Sequence, residues 1–184
     1  MLKIKTLIGI ICLVLVGFAA CHADPVKKRK DGLIEKVAAV YTAEIGVREA
    51  TGRNDGARVE QYLKATHLPK GNPWCAAFVT WTYLQATPDI VTPRSAWAPS
   101  WFTKNIVYER GKPIKDIRRA DTFGIYYAKD KRIGHIGFID EWDYGNDYFI
   151  SVEGNTNNAG SNEGDGVYRK RRLKRAVFKI SRWI

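Results

Sequence analysis

The stretch "GNPWCAAFVTW", residues 71–81, places one cysteine at the start of an apolar run. The apolar residues recur at helical spacing, and Pro73 suits a first helical turn because its φ is already helical. We therefore predict a helix over residues 73–86, with Cys75 in its first turn. The backbone N–H groups of that turn lack intrahelical partners and carry partial positive charge, which favours the thiolate of Cys75 over the thiol.

The N-terminal segment has the pattern of a signal peptide, so we predict that residues 1–20 direct export. A charged start that contains Lys3 and Lys5 precedes an almost continuous apolar segment that ends in small residues. The stretch "GFAAC" resembles a lipobox, in which Cys21 becomes the lipidated first residue and anchors the protein in the membrane. Cleavage after Ala23 and an uncleaved membrane anchor remain alternatives. In each case we expect the domain in the cell envelope, on the periplasmic side.

Export makes Cys75 an unusual residue. The chain has three cysteines, of which Cys12 lies in the signal segment and Cys21 is removed, lipidated or close to the N-terminus. Cys75 is thus left with no obvious disulfide partner in an oxidising compartment. Its thiol is then either a small buried apolar group or a group that takes part in chemistry.

The composition predicts one globular domain with a basic surface. The chain has 184 residues, 45% of them hydrophobic, and a formal net charge of +11. Its basic residues cluster in residues 27–30 and 169–175. In an exported protein such clusters indicate a solvated face or contact with anionic envelope surfaces, and we expect no nucleic-acid partner. We predict a polar tether over residues 21–32, one domain over residues 33–184, and a monomer.

Periodicity predicts helices in the first half of the domain and strands in the second. Helices are expected over residues 31–47, where Asp31 is placed to cap, and over residues 57–68 and 73–86. Strands are expected over residues 120–128, 133–142, 147–155, 166–173 and 176–183. This order predicts an α+β fold, with the N-terminal helices packed on one face of an antiparallel sheet.

His135 is the histidine best placed to act as a base for Cys75. It lies in the strand-like stretch "GHIGFI", between glycines that indicate a close approach to the backbone. If the strands around residue 145 pair symmetrically, His135 faces Asn155 and has Glu153 as its diagonal neighbour on the same face. An imidazole oriented by a carboxylate or an amide is the arrangement that activates a cysteine nucleophile. Both Glu153 and Asn155 are candidates for the orienting group.

The motifs "NPWCAAFVTW", "GHIGFI" and "EGNTN", with "AEIGVREATGRNDG" upstream of them, resemble the CHAP domain, the cysteine- and histidine-dependent amidohydrolase/peptidase family. The resemblance covers residues 34–184. It implies a papain-like α+β fold, of the kind shared with NlpC-type wall peptidases, and hydrolysis of amide bonds in peptidoglycan. On this resemblance Cys75 is the nucleophile and His135 the general base. Glu153 is the acidic orienting residue, and Asn155 is the amide two positions later.

The resemblance implies an amidase or endopeptidase that acts on peptidoglycan stem peptides through a thioester acyl-enzyme, with no metal or other cofactor. Trp74, Trp101 and Tyr127 are predicted to contact the substrate, and core packing explains the two tryptophans equally well. Trp97 and Tyr126 are further candidates to line a groove. Two other functions remain open: a non-catalytic module that binds the cell wall or envelope, and a secreted antibacterial toxin. An amine in place of water would make the same site an acyltransferase.

Overall fold

A computed structural model of the protein describes residues 24–157 and 164–184, and it has the predicted α+β architecture. The helices within these residues are α1 (Pro25–Ala43), α2 (Ala57–Lys64) and α3 (Cys75–Ala86). The strands are β1 (Ile106–Glu109), β2 (Thr122–Tyr127), β3 (Arg132–Glu141), β4 (Tyr148–Thr156), β5 (Gly166–Leu173) and β6 (Val177–Ser181). They form one sheet in the order β1-β6-β2-β3-β4-β5, and every pairing is antiparallel.

The N-terminal part of the described chain is helical, not irregular. α1 begins at Pro25, and Asp24 caps it instead of Asp31, because Asp24 Oδ1 accepts a hydrogen bond from the backbone N of Val26 at 2.9 Å. An Asp-Pro pair supplies both a cap and a helical φ, so residues 25–32 of the predicted tether form exposed helical turns. The predicted signal peptide and Cys21 lie outside the described residues. In the described ranges, no helix is both long and apolar enough to cross a membrane.

α3 is the centre of the core. Its residues from Cys75 to Tyr83 are all buried. Phe78 packs on Tyr62 of α2 with ring centroids 5.3 Å apart, and on Phe138 of β3 with centroids 6.1 Å apart. The helix is therefore held between α2 and one face of the sheet, and a second apolar cluster on the opposite face includes Phe123, Ile139 and Phe149.

The five predicted strands are all present, and their ends differ from the prediction by at most two residues. The prediction missed β1, a strand of four residues that pairs with β6 at the edge of the sheet. Such a short edge strand carries too few residues to show an alternating pattern.

β3 and β4 pair in the predicted register. Phe138 lies opposite Val152 and Ile139 opposite Ser151, as expected for a hairpin centred on residue 145. A bulge shifts the pairing nearer to the turn, on the side away from the predicted site. The register therefore brings together the predicted site residues that these two strands carry.

Candidate active site

Cys75 is the first residue of α3 and lies in the wall of a cleft of about 490 Å³. Its thiol is unpaired, and the residue is 7% exposed. Trp74 is the N-cap but gives no side-chain hydrogen bond to the helix, and the Trp74 carbonyl accepts from the backbone N of Phe78 at 2.8 Å. The N–H groups of the three residues before Phe78 have no backbone partner in the described chain. They can therefore stabilise negative charge on the sulfur or on a bound oxygen atom.

Two predicted substrate contacts, Trp74 and Trp101, lie in the core. Trp74 is fully buried, its Nε1 donates to Glu49 Oε1 at 2.8 Å, and its ring stacks on Tyr62 with centroids 5.5 Å apart. Trp101 is also fully buried, and its Nε1 donates to the Ser95 carbonyl at 3.1 Å. Both indoles are thus enclosed and hydrogen-bonded, so the structure assigns them to core packing and not to substrate contact.

A bulge in β3 and two glycines position His135. The pairing with β2 shifts at Gly134, which is the extra residue of the bulge. The ring of Tyr127 lies over Gly134, where a Cβ would come within 2.1 Å of Tyr127 Cδ2. At Gly137 a Cβ would come within 2.7 Å of Glu153 Cγ. Both glycines thus make room for side chains around the imidazole, which is the close approach that the sequence indicates.

The site contains a hydrogen-bonded network around Glu153, with Cys75 beside it. His135 and Glu153 are buried, with 2.8 Å between Nε2 and Oε2, and the same imidazole interacts with the thiol of Cys75. Arg172 of β5 holds the carboxylate with two N–H groups, from Nε to Oε1 at 2.7 Å and from Nη2 to Oε2 at 2.5 Å. Ser151 Oγ donates to Oε1 at 2.5 Å. Both oxygens of the Glu153 carboxylate therefore accept hydrogen bonds from neighbouring donors.

The electrostatics of this chain favour a thiolate and an imidazolium. Burial opposes ionisation of Cys75, but the hydrogen bond and charge of His135 outweigh it and hold the pKa of the thiol below its ordinary value. Burial also opposes the charged imidazole, but the hydrogen bonds to Cys75 and Glu153 raise the pKa of His135 to about 9. Despite its burial, Glu153 has a pKa far below the usual range, because Arg172 and His135 bind its charged form. The pair thus favours the thiolate and imidazolium forms over the thiol and neutral imidazole.

Asn155 does not take the predicted place against His135. Its φ of +52° is left-handed, and the pairing of β4 with β5 shifts between Glu153 and Thr156. This irregularity ends the alternation that would turn the amide toward the imidazole, and within the described chain Asn155 has no hydrogen bond to the ring. Glu153 is therefore the group that orients His135.

Aromatic and basic side chains surround the mouth of the site. Tyr127 lies near Cys75. Burial and the charge of Cys75 both raise the pKa of the Tyr127 phenol. Trp97 lines the cleft and is 53% exposed. The guanidinium of Arg132 lies 4.4 Å from the centroid of that indole, and Arg94 lines the same cleft. Of the three predicted substrate contacts, only Tyr127 remains a candidate, because Trp74 and Trp101 are enclosed in the core.

The sequence analysis missed Arg172. The basic run over residues 169–175 is predicted as a solvated face, yet burial alternates along β5, and the Arg172 side chain is only 24% exposed. The sequence did contain two features that point to a buried arginine on β5. A buried carboxylate on β4 requires a cationic partner, and a strand with basic residues at successive positions turns every second one inward.

No family model matches the chain, and no curated protein is significantly similar to it. The chemistry of the site is therefore inferred from its residues and their geometry.

Proposed function

We propose that the protein is an exported cysteine amidohydrolase that cleaves amide bonds in peptidoglycan. The observation that carries the proposal is the placement of Cys75 beside His135, which is hydrogen-bonded to Glu153 and through it linked to Arg172. Cys75 lies at a helix N-terminus and lines a cleft. A reactive thiolate, a proton carrier and a fixed carboxylate are the groups that amide cleavage through a covalent intermediate requires.

In the first step, the Cys75 thiolate attacks the carbonyl carbon of the amide. A C–S bond forms, and an electron pair moves onto the carbonyl oxygen. The backbone N–H groups of Cys75 and Ala76 stabilise this oxyanion. His135 then gives a proton to the amide nitrogen, the C–N bond breaks, and the amine leaves while a thioester remains on Cys75.

In the second step, neutral His135 takes a proton from water as the water oxygen attacks the thioester. The tetrahedral intermediate collapses, the C–S bond breaks, and the carboxylic acid product leaves the regenerated thiolate. Glu153 stays ionised throughout because Arg172 and His135 hold its pKa low against the effect of burial. It therefore stabilises the imidazolium in both steps and fixes the orientation of the ring.

We also propose the papain-like fold and the location in the envelope. A cysteine on the first turn of a central helix, facing a histidine on an antiparallel sheet, is what the CHAP resemblance implies, and the α+β order of elements supports it. Peptidoglycan stem peptides as the substrate rest on the same resemblance and on the predicted signal peptide. Lipidation of Cys21 would keep the domain at the membrane.

The test is incubation of the purified mature protein, and of its Cys75→Ala variant, with peptidoglycan sacculi. Fragments released by the first protein alone, detected by mass spectrometry, are the expected result. Their masses separate an amidase from an endopeptidase. If neither protein releases fragments and Cys75 is alkylated slowly below pH 7, the catalytic proposal fails and a non-catalytic binding module remains.

A further inference from the structure

The cleft in front of Cys75 has a marked charge bias. Among the described residues, its lining includes two charged residues, Arg94 and Arg132, and no acidic residue. The remaining lining is neutral and contains Trp97 and Gly134, the bulge residue beside the catalytic histidine. Arg94 and Arg132 thus line the same cavity of about 490 Å³ as Cys75. This arrangement attracts an anionic group to the position next to the nucleophile.

Arg132 is held in place but keeps donors for a ligand. Its guanidinium lies over the ring of Trp97, and Nη1 donates to the carbonyl of Ile133 at 3.2 Å. Asp130 is 3.9 Å from Nη2, and because both side chains are partly exposed this pair is weak. A guanidinium has five N–H groups, so most of those of Arg132 remain available to an anion.

Arg94 lies at the edge of the cleft, next to a backbone segment that is hydrogen-bonded to core side chains. The next carbonyl along the chain, that of Ser95, accepts hydrogen bonds from Trp101 Nε1 and Thr80 Oγ1, both at 3.1 Å. Arg94 itself donates to the carbonyl of Pro88 at 3.1 Å and has no ion pair with any described residue. Because its backbone is held in place and its guanidinium has no ion pair with a described residue, Arg94 is suited to bind an anionic ligand. Its charge is not needed to hold the fold together.

We propose that this cleft recognises a carboxylate of the peptide substrate, held by Arg94 and Arg132 beside the amide bond that Cys75 attacks. The inference rests on the proposed function and deepens it by naming the substrate group that the same site selects. A carboxylate matches the planar fork of a guanidinium with two acceptor oxygens, whereas a neutral amide gains no charge attraction. The exposed face of Trp97 offers an apolar surface to the methylene groups that carry the carboxylate.

The test compares two small alkylating reagents that differ in the group we expect the cleft to bind. Iodoacetate carries a carboxylate and iodoacetamide carries a neutral amide. The thiolate of Cys75 displaces iodide from either reagent and forms a thioether. The ratio of the two rate constants cancels the thiolate fraction of Cys75, so it reports the preference of the cleft for the carboxylate. The same ratio for 2-mercaptoethanol gives the preference intrinsic to the reagents.

We expect the ratio for the wild type to exceed that of 2-mercaptoethanol. It should fall about threefold in Arg94→Gln and in Arg132→Gln, about tenfold in the double variant, and also in the wild type at high salt. The control is Arg175→Gln, which removes an exposed arginine between β5 and β6 and should leave the ratio unchanged. A wild-type ratio no higher than that of the free thiol, or an unchanged ratio in the double variant, would overturn the proposal.

A second arm separates this inference from the proposed function. Sacculi whose carboxylates have been converted to amides with carbodiimide and ammonia should be cleaved several-fold more slowly by the wild type than untreated sacculi. Equal rates on both would overturn carboxylate recognition and leave the hydrolase standing. If neither is cleaved while the alkylation ratio is high and depends on both arginines, the hydrolase proposal fails and the carboxylate preference of the cleft is supported.

Discussion

Two buried carboxylates, Glu153 and Glu44, are held by arginine in nearly the same way. Nε and Nη2 of Arg172 lie 2.7 Å and 2.5 Å from the oxygens of Glu153, and Nε and Nη2 of Arg58 lie 2.7 Å and 2.5 Å from those of Glu44. Glu153 is fully buried, and Glu44 is 4% exposed. The arginine–carboxylate geometry therefore does not distinguish the candidate active site from the other region.

The third partner of each carboxylate makes the difference. Glu44 accepts a hydrogen bond from Tyr62, and burial together with this bond raises the pKa of the phenol far above its ordinary value, so that proton does not move near neutral pH. Glu153 instead binds His135, which can exchange a proton and interacts with a thiol at an open cleft. A buried carboxylate can support proton transfer to a substrate only where its partner can exchange a proton and reach that substrate.

We expect the largest difference in activity when the third partner of each carboxylate, His135 or Tyr62, is replaced. His135→Gln should lower the rate of fragment release from sacculi by about a thousandfold, because it removes the proton carrier and the cation that stabilises the thiolate. Tyr62→Phe removes the matching hydrogen bond to Glu44 and should leave that rate within about twofold, while unfolding becomes roughly 1 kcal/mol easier. Initial rates and urea unfolding measure the two effects. Similar losses of activity in both variants would refute the distinction between the two regions.

Replacing the carboxylates themselves should separate activity from stability. Glu153→Gln should slow the reaction by about a hundredfold, since the amide can no longer stabilise the imidazolium, and Glu44→Gln should not change the rate. Both should destabilise the fold. We expect roughly 3 kcal/mol for Glu153→Gln, which leaves Arg172 largely buried, and about 1 kcal/mol for Glu44→Gln, because the Arg58 side chain is 42% exposed. Full activity in Glu153→Gln would contradict the proposed role of this carboxylate.

Replacing the arginines gives a smaller effect and tests Arg172 as a positioning residue. Arg172→Lys keeps a positive charge but loses the pair of hydrogen bonds that the guanidinium donates to Glu153. We therefore expect about a tenfold lower kcat/KM at pH 7, with most of the loss in kcat. The pKa of Glu153 should also rise, which moves the acidic limb of the pH–rate profile to higher pH. Arg58→Lys should shift neither quantity. A purely structural role for Arg172 would lower the stability and leave the pH profile in place.

Local pattern predicted most of the fold and the centre of the site. The strand positions follow from periodicity, and the register of β3 with β4 follows from hairpin symmetry, which correctly placed His135 next to Glu153. Cys75 in the first turn of α3 follows from Pro73 and the apolar run behind it. These features are local in the chain, or they depend on a single tight turn.

The missed features depend on contacts between distant segments. Whether the indole of Trp74 lines a groove or fills the core depends on Glu49, which lies in another loop. Arg172 reaches Glu153 only because β5 lies beside β4, and the left-handed backbone of Asn155 lies where the pairing of β4 with β5 is irregular. Which side chains meet is therefore decided only when these separate segments come together.

The pH dependence of stability gives the finest distinction between the two regions. A raised pKa, as at His135, contributes stability that is complete below the ordinary value of 6.5 and is lost as the pH rises through about 9. A lowered pKa, as at Cys75, contributes stability that is complete above the ordinary value of 9.0 and is lost as the pH falls. Between pH 6.5 and 9 the two contributions oppose each other, so the wild-type stability should change less with pH than the His135 contribution alone would.

Cys75→Ala should expose the contribution that this balance hides. The variant loses the hydrogen bond and charge of Cys75 that help to raise the pKa of His135, and it keeps the hydrogen bond to Glu153. Its free energy of unfolding should therefore fall as the pH rises above 6.5, by at most about 1.4 kcal/mol per pH unit, over a window that ends below pH 9. The Glu44 region should contribute nothing in this window, because the pKa of Glu44 is lowered from 4.5 and that of Tyr62 is raised from 10.0. Urea unfolding of the wild type, Cys75→Ala and Cys75→Ala/His135→Gln at three pH values measures the slopes. The double variant should show no slope in this window, because it has lost both titrating groups, and a slope that survives the loss of His135 would assign the titration to another group.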